Sequence, residues 1–276
     1  MRLLSATALL TLLAVAFAAE AAPLPHQVEI PFSSGMLHAQ LYKPDGDGPF
    51  PVVIALHGCG GLGGQSDPVK RRYRDWAEPL LKGGTAVLLP DSYGSRELGP
   101  QCRVKERRIL ARRERVADIM ASRQWLLQQP WAAHERVSLM GWGEGAGALL
   151  WAVRPQSRSR RVEPDFRSAI AFYPDCRISS GLGWSARVPT LLLIGARDDI
   201  SSPFACRQMV DGARGRSALA RIVVYPGALH DFDRANLPQQ AIGGAADPAL
   251  PERGHLGADP DARADSQKRV TEWLAR

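Results

Sequence analysis

The chain has 276 residues, 45% of them apolar, and a formal net charge of +7. Behind its leading apolar segment about 250 residues remain, a length that α/β domains often reach as one unit with a sizeable core. No later segment is apolar for long enough to cross a bilayer, which excludes a membrane span after the N-terminus.

In chain order, Met1-Arg2 precedes an apolar run from Leu3 to Phe17 and small residues from Ala18 to Ala22. The run is too short for a membrane helix and reads as a secretory signal peptide over residues 1–21, with cleavage after Ala18 or Ala21 both fitting. Residues 22–276 are expected to form a single exported domain, most simply periplasmic, with outright secretion as the alternative. Strands are predicted at Val28 to Phe32, Leu37 to Tyr42, Val52 to Leu56, Ala86 to Leu89, Val137 to Met140, Ala169 to Phe172, Leu191 to Ile194 and Ile222 to Tyr225. The first two, joined by Ser33-Ser34-Gly35, form a hairpin at the sheet edge. The later ones are near-continuous apolar runs, the pattern of strands buried on both faces of a parallel sheet. Helical patterns separate them, at Val104 to Gln128 and Gly145 to Val153 among others, so the fold class is α/β with helices on both faces. The excess positive charge is concentrated between Arg103 and Arg115, around an apolar set at helical spacing. That reads as the wet face of a helix packed on the sheet; without aromatic interleaving a nucleic-acid surface is not expected. Leu237 to Gly257 reads as a long loop, followed by a helix capped by Asp259 with Pro260 in its first turn.

All four cysteines follow the leader, and an even count in an oxidising compartment favours disulfides. Of the three connectivities, Cys59–Cys102 and Cys176–Cys206 are preferred, because each links two loops that follow strands at the same edge of the sheet. Free buried thiols are the alternative.

The chemistry centres on Gly141-Trp142-Gly143-Glu144-Gly145 after the Val137 to Met140 strand. A nucleophile elbow has the pattern Gly-x-Ser-x-Gly, in which a strand turns sharply into a helix and the middle residue carries the attacking oxygen. Both flanking glycines are present, but the middle residue is Gly143. Downstream, one apolar run ends in Asp198-Asp199 and the next in His230, so the order is nucleophile position, acid, histidine. This is the chain order of α/β-hydrolases. The loop Leu56-His57-Gly58-Cys59-Gly60-Gly61 is placed to give one backbone N–H of an oxyanion hole, at Cys59, and Glu144 the other. An ordinary glycine-rich turn, with His57 only bracing it, is the bland alternative.

Together these landmarks resemble the dienelactone hydrolase family, in a branch of exported bacterial proteins. The matching residues are His57 to Gly61, Leu88-Leu89-Pro90-Asp91-Ser92-Tyr93-Gly94, Arg136 to Trp142, Ala171-Phe172-Tyr173-Pro174, Leu193-Ile194-Gly195 with Asp198, and Tyr225-Pro226-Gly227 with His230. The resemblance implies an α/β-hydrolase fold and cleavage of a small ester or lactone by a Cys or Ser nucleophile. It implies His230 as general base and Asp198 as its orienting acid, with Asp199 the fallback because Ile200-Ser201-Ser202-Pro203 is one residue longer than usual. Arg96 falls where the family places an arginine for a substrate carboxylate; a surface arginine is the alternative.

Glycine offers no hydroxyl or thiol at position 143, so no acyl-enzyme can form there. Loss of a triad nucleophile costs about a million-fold in turnover in a measured protease. No neighbour replaces it: Glu144 is a poor acyl acceptor, Cys59 is expected to be oxidised, and Ser138 lies inside the strand. The first reading is therefore a hydrolase-like protein that binds a small carbonyl or carboxylate compound without ordinary turnover. The second is a weak esterase using water activated by His230 and Asp198, and the third a partner-binding protein on an inherited scaffold. No cofactor is expected. No metal is expected either, since His57, His230, His255 and the acids lack ligand spacing.

Overall fold

The computed structural model describes residues 24–32, 35–64, 66–155, 164–177, 179, 183–243 and 254–276. The expected signal peptide, the turn residues Ser33 and Ser34, and residues 244–253 of the long loop lie outside them. All eight predicted strands form and join one sheet: β1 (His26–Phe32), β2 (Gly35–Tyr42), β3 (Phe50–Leu56), β4 (Ala86–Pro90), β5 (Ala132–Trp142), β6 (Ala169–Phe172), β7 (Thr190–Gly195) and β8 (Ala220–Tyr225). Their order is β1-β2-β4-β3-β5-β6-β7-β8. The β1–β2 hairpin is antiparallel and meets β4 antiparallel through β2, while β4 to β8 run parallel. Every side chain of β4, β6 and β7 is buried. Their unbroken apolar runs are thus covered on both faces, as a parallel sheet requires.

Five helices surround the sheet among the described residues: α1 (Arg71–Lys82), α2 (Glu114–Leu126), α3 (Glu144–Ala152), α4 (Pro203–Gly212) and α5 (Pro260–Leu274). Helix α1 buries Tyr73, Trp76 and Ala77, three residues at the spacing of one helical face. Helix α3 buries Gly145, Ala146, Ala148, Leu149, Leu150 and Ala152, which suits a helix packed on the centre of the sheet. Helix α5 starts as the sequence indicates, with the Asp259 carboxylate accepting the Ala262 N–H and Pro260 in the first turn.

Three expectations need correction. The helix predicted from Val104 begins only at Glu114, and residues 103–113 are turns and bends. Cys102 is held by a disulfide to Cys59, and the Glu114 carboxylate accepts the Leu110 N–H, so the chain is fastened as a loop before the helix can start. Nor do all of its basic residues face water. Arg115 is fully buried with its guanidinium 5.4 Å from the centre of the Tyr93 ring. The long loop after His230 is also not wholly irregular: β9 (Gln240–Ala241) and β10 (His255–Leu256) pair antiparallel at its two ends.

Candidate active site

At the end of β5 the chain enters α3 through Gly143, whose backbone has φ 52° and ψ −111°. This left-handed φ is strained for most side chains and free for glycine. The turn is tight because the flanking glycines touch backbone: a Cβ on Gly145 would lie 2.2 Å from the Leu56 carbonyl oxygen, and one on Gly141 2.7 Å from the Gly145 carbonyl carbon. Helix α3 therefore starts directly against the end of β3. Its first residue, Glu144, has no helical acceptor for its N–H. Cys59, in the loop after β3, likewise donates its N–H to no protein group among the described residues. The Glu144 side chain turns aside to accept a 2.7 Å hydrogen bond from Arg107.

A Cβ built on Gly143 would stand 3.9 Å from His230 Nε2, and, chain neighbours apart, no other heavy atom of the described residues lies within 4 Å of it. The His230 Nδ1 donates to Asp198 Oδ2 at 2.9 Å. Asp198 is buried and its other oxygen accepts the N–H groups of Ile200 and Ser201 at 3.0 and 2.8 Å. Because Nδ1 carries the proton toward the carboxylate, Nε2 presents its lone pair to the space over Gly143. Burial pulls the His230 pKa down, but the hydrogen bond and charge of Asp198, with Asp231 adding to them, outweigh it and lift it above the ordinary 6.5. Gly143, Glu144, Cys59 and His230 are all partly exposed, so the space opens to solvent.

Asp199 serves another histidine. It accepts both the backbone N–H and Nδ1–H of His255, at 2.7 and 2.8 Å. That bond holds β10 across the His230 loop, where Leu256 bridges His230 and the Gly257 N–H donates to the His230 carbonyl at 3.0 Å. Arg96 is committed as well: its guanidinium donates to both oxygens of the buried Asp118, at 2.7 and 3.1 Å, and to the Ser92 carbonyl at 2.8 Å. Its charge is neutralised inside the protein, which argues against the carboxylate-binding role. His57 braces the loop as its bland reading supposed, with Nδ1 donating to the Gly58 carbonyl and Nε2 accepting the Ser92 N–H. Its complete burial, reinforced by the Arg115 charge, holds its pKa well below the ordinary value, so the ring is neutral.

Both preferred disulfides are present and no described cysteine is free. Cys59–Cys102 ties the loop after β3 to the loop after β4. Cys176–Cys206 ties the loop after β6 to α4, so one of its ends is helical rather than in a loop as expected.

The sequence reading missed the polar network behind His230. Asp233 accepts hydrogen bonds from the indoles of Trp76 and Trp142 at 2.8 and 2.9 Å and from the Tyr173 hydroxyl at 2.6 Å. Arg72 donates to Asp231 at 2.9 and 3.3 Å and to the Tyr173 hydroxyl. The Tyr173 and His230 rings lie 4.4 Å apart. Two acids directly after a histidine, at 231 and 233, were the signal available; nothing marked Arg72, which is brought in by α1 from 159 residues away in the chain. No group of His, Cys, Asp and Glu suited to a metal occurs among the described residues.

The strand order, the elbow between β5 and α3, and an acid and a histidine after β7 and β8 define an α/β-hydrolase fold. The sequence profile of the dienelactone hydrolase family matches residues 37–276, and the chain belongs to that family. Among solved structures, a dienelactone hydrolase from Anabaena variabilis superposes with a TM-score of 0.66 at 20% identity, covering 92% of this chain and 98% of that one. A dienelactone hydrolase-like promiscuous phosphotriesterase from metagenomic libraries gives 0.68 at 16% identity, with 92% and 98% covered. Thermogutta terrifontis esterase 2 gives 0.64 at 14% identity, with 93% and 96% covered. At these identities the likeness is one of fold. No curated protein matches the sequence.

Proposed function

We propose that this dienelactone hydrolase family protein keeps the binding half of a hydrolase site and has lost its covalent half. Its ligand is a small ester, lactone or other carbonyl or carboxylate compound, with the oxygen between the N–H groups of Cys59 and Glu144 and the carbonyl carbon near His230. The observation that carries this reading is Gly143, which holds the strained elbow conformation with His230 Nε2, alone among the described residues, facing the place of the missing side chain. Without a hydroxyl or thiol the acyl-enzyme cannot form, and ordinary ester turnover is lost by about 10⁶. A scaffold kept only to hold a partner would need neither the Asp198–His230 pair nor the free donors. The open space beside Nε2 favours one further reading, slow hydrolysis by a water that His230 activates. The two disulfides support maturation in an oxidising compartment, in line with export through a signal peptide at 1–21 and one domain over 22–276.

The test is hydrolysis of p-nitrophenyl acetate by the wild type, Gly143→Ser and Gly143→Cys. The wild type is expected near the buffer rate, and the variants at least about tenfold above it, because base and donors are already in place. Ordinary enzyme rates in the wild type, abolished by His230→Ala, would overturn the reading.

A further inference from the structure

The same site has a use that needs no nucleophile. We propose that it catalyses proton transfer at the carbon beside a carbonyl group, with His230 Nε2 removing the α-proton of a small ketone or ester whose oxygen lies between the N–H groups of Cys59 and Glu144. This rests on the carbonyl-binding reading above and goes beyond it, from holding the ligand to changing it.

Forming an enolate requires a positioned base, donors aimed at the oxygen that gains charge, and room for a carbon atom at the base. The base is present: Asp198 occupies Nδ1 at 2.9 Å and leaves Nε2 as the acceptor. In a serine hydrolase a hydroxyl would stand between that nitrogen and the ligand and engage its lone pair. Here the position is glycine, and the 3.9 Å from Nε2 to the site of the absent Cβ is open. A ligand carbon can therefore approach Nε2 directly. The donors are present too, since neither the Cys59 nor the Glu144 N–H has a protein partner among the described residues. The imidazolium formed in the step is matched by charge: Asp198 lies against it and Asp231 follows it in the chain, and the two acids outweigh the opposing charge of Arg72, which Asp231 holds. The Tyr173 ring packs with its centre 4.4 Å from that of His230 and backs the imidazole from the protein side.

In the step the α C–H bond breaks and the proton passes to Nε2. The electron pair becomes the C=C bond of the enolate, and the carbonyl π pair moves onto the oxygen between the two N–H groups. Return of a proton from His230 restores the ketone. In D₂O the imidazolium exchanges with solvent and a deuteron returns instead.

The experiment follows loss of the benzylic proton signal of phenylacetone in D₂O by proton NMR. This ketone has no ester bond, so hydrolysis cannot contribute. The wild type is expected to exceed the buffer rate at least about tenfold, with His230→Ala and Gly143→Ser both near the buffer rate. Gly143→Ser fills the space without removing the dyad, and its esterase activity, measured on the same preparation, certifies that it is folded. Exchange at the buffer rate in the wild type overturns the proposal, as does exchange that survives both substitutions. Ester rescue without wild-type exchange leaves the binding reading standing and removes only this one, whereas the absence of both removes the two together.

Discussion

Asp198 and Asp199 are chain neighbours whose carboxylates face different histidines. Only Asp198 is buried and saturated by backbone N–H groups, so only it can hold His230 in the tautomer that leaves Nε2 as acceptor. In a Gly143→Ser background, Asp198→Asn should lower ester turnover by about 10³ to 10⁴, as loss of an orienting acid does elsewhere. Asp199→Asn should cost far less, because it loosens the strap over the His230 loop without touching the ring. The rescued activity needs His230 as the neutral base. Asp198, Asp231, Arg72 and Tyr173 face that ring, and the acids prevail, raising its pKa. The pH–rate profile should therefore rise through a midpoint above 6.5, and that midpoint should fall in Asp198→Asn. A midpoint at or below 6.5 in the parent variant would count against the assigned pairing.

At the scale of elements, the disulfide Cys59–Cys102 holds the loop after β3, the proposed oxyanion loop, against the segment before α2. It closes a loop with a sequence separation of 43, for which loss of the cross-link costs about 3 to 4 kcal/mol. The Cys59→Ser/Cys102→Ser variant should therefore melt on the order of 10 °C lower by calorimetry. In a Gly143→Ser background it should also lose ester turnover, since the Cys59 N–H is then carried by an untied loop. An unchanged melting temperature would show that the loop is held by its other contacts, such as the Gln101 N–H to the Cys59 carbonyl at 2.7 Å. The disulfide explains why periodicity misplaced the start of α2. Residues 103–113 carry a helical pattern, but one end is fixed by a cross-link to a distant loop, and Arg107 is drawn to Glu144 rather than to solvent.

For the molecule as a whole, the network that joins α1, β6 and the His230 loop converts charge into stability. Burial raises the Asp231 pKa, but Arg72, His230 and Arg234 outweigh it and bring it from 3.8 to about 2. A depressed carboxylate stabilises the fold above its unfolded value, near pH 4, and that contribution disappears as pH falls through about 2. The shift corresponds to about 2 kcal/mol. Melting temperature plotted against pH should fall between pH 4 and 2 in the wild type, and Asp231→Asn should be lower at pH 7 and flatter across that interval. Parallel curves would refute the assignment.

The sequence by itself determined the sheet strands, the order of elbow, acid and histidine, and the glycine at the middle of the elbow. These are local properties: a strand buried on both faces must be apolar throughout, and no tertiary contact can give Gly143 a hydroxyl. The disulfide pairing was legible for a related reason, since segments that follow neighbouring strands are brought together by the sheet itself, although Cys206 proved to lie in α4 and not in a loop. Only the tertiary structure paired Asp198 rather than Asp199 with His230, committed Arg96 to Asp118, buried Arg115, and gathered Arg72, Tyr173 and Asp233 behind His230. Each of these depends on which of two adjacent residues faces inward, or on partners up to 159 residues apart. Distances of that kind are set by packing between elements, which no local pattern of residues encodes.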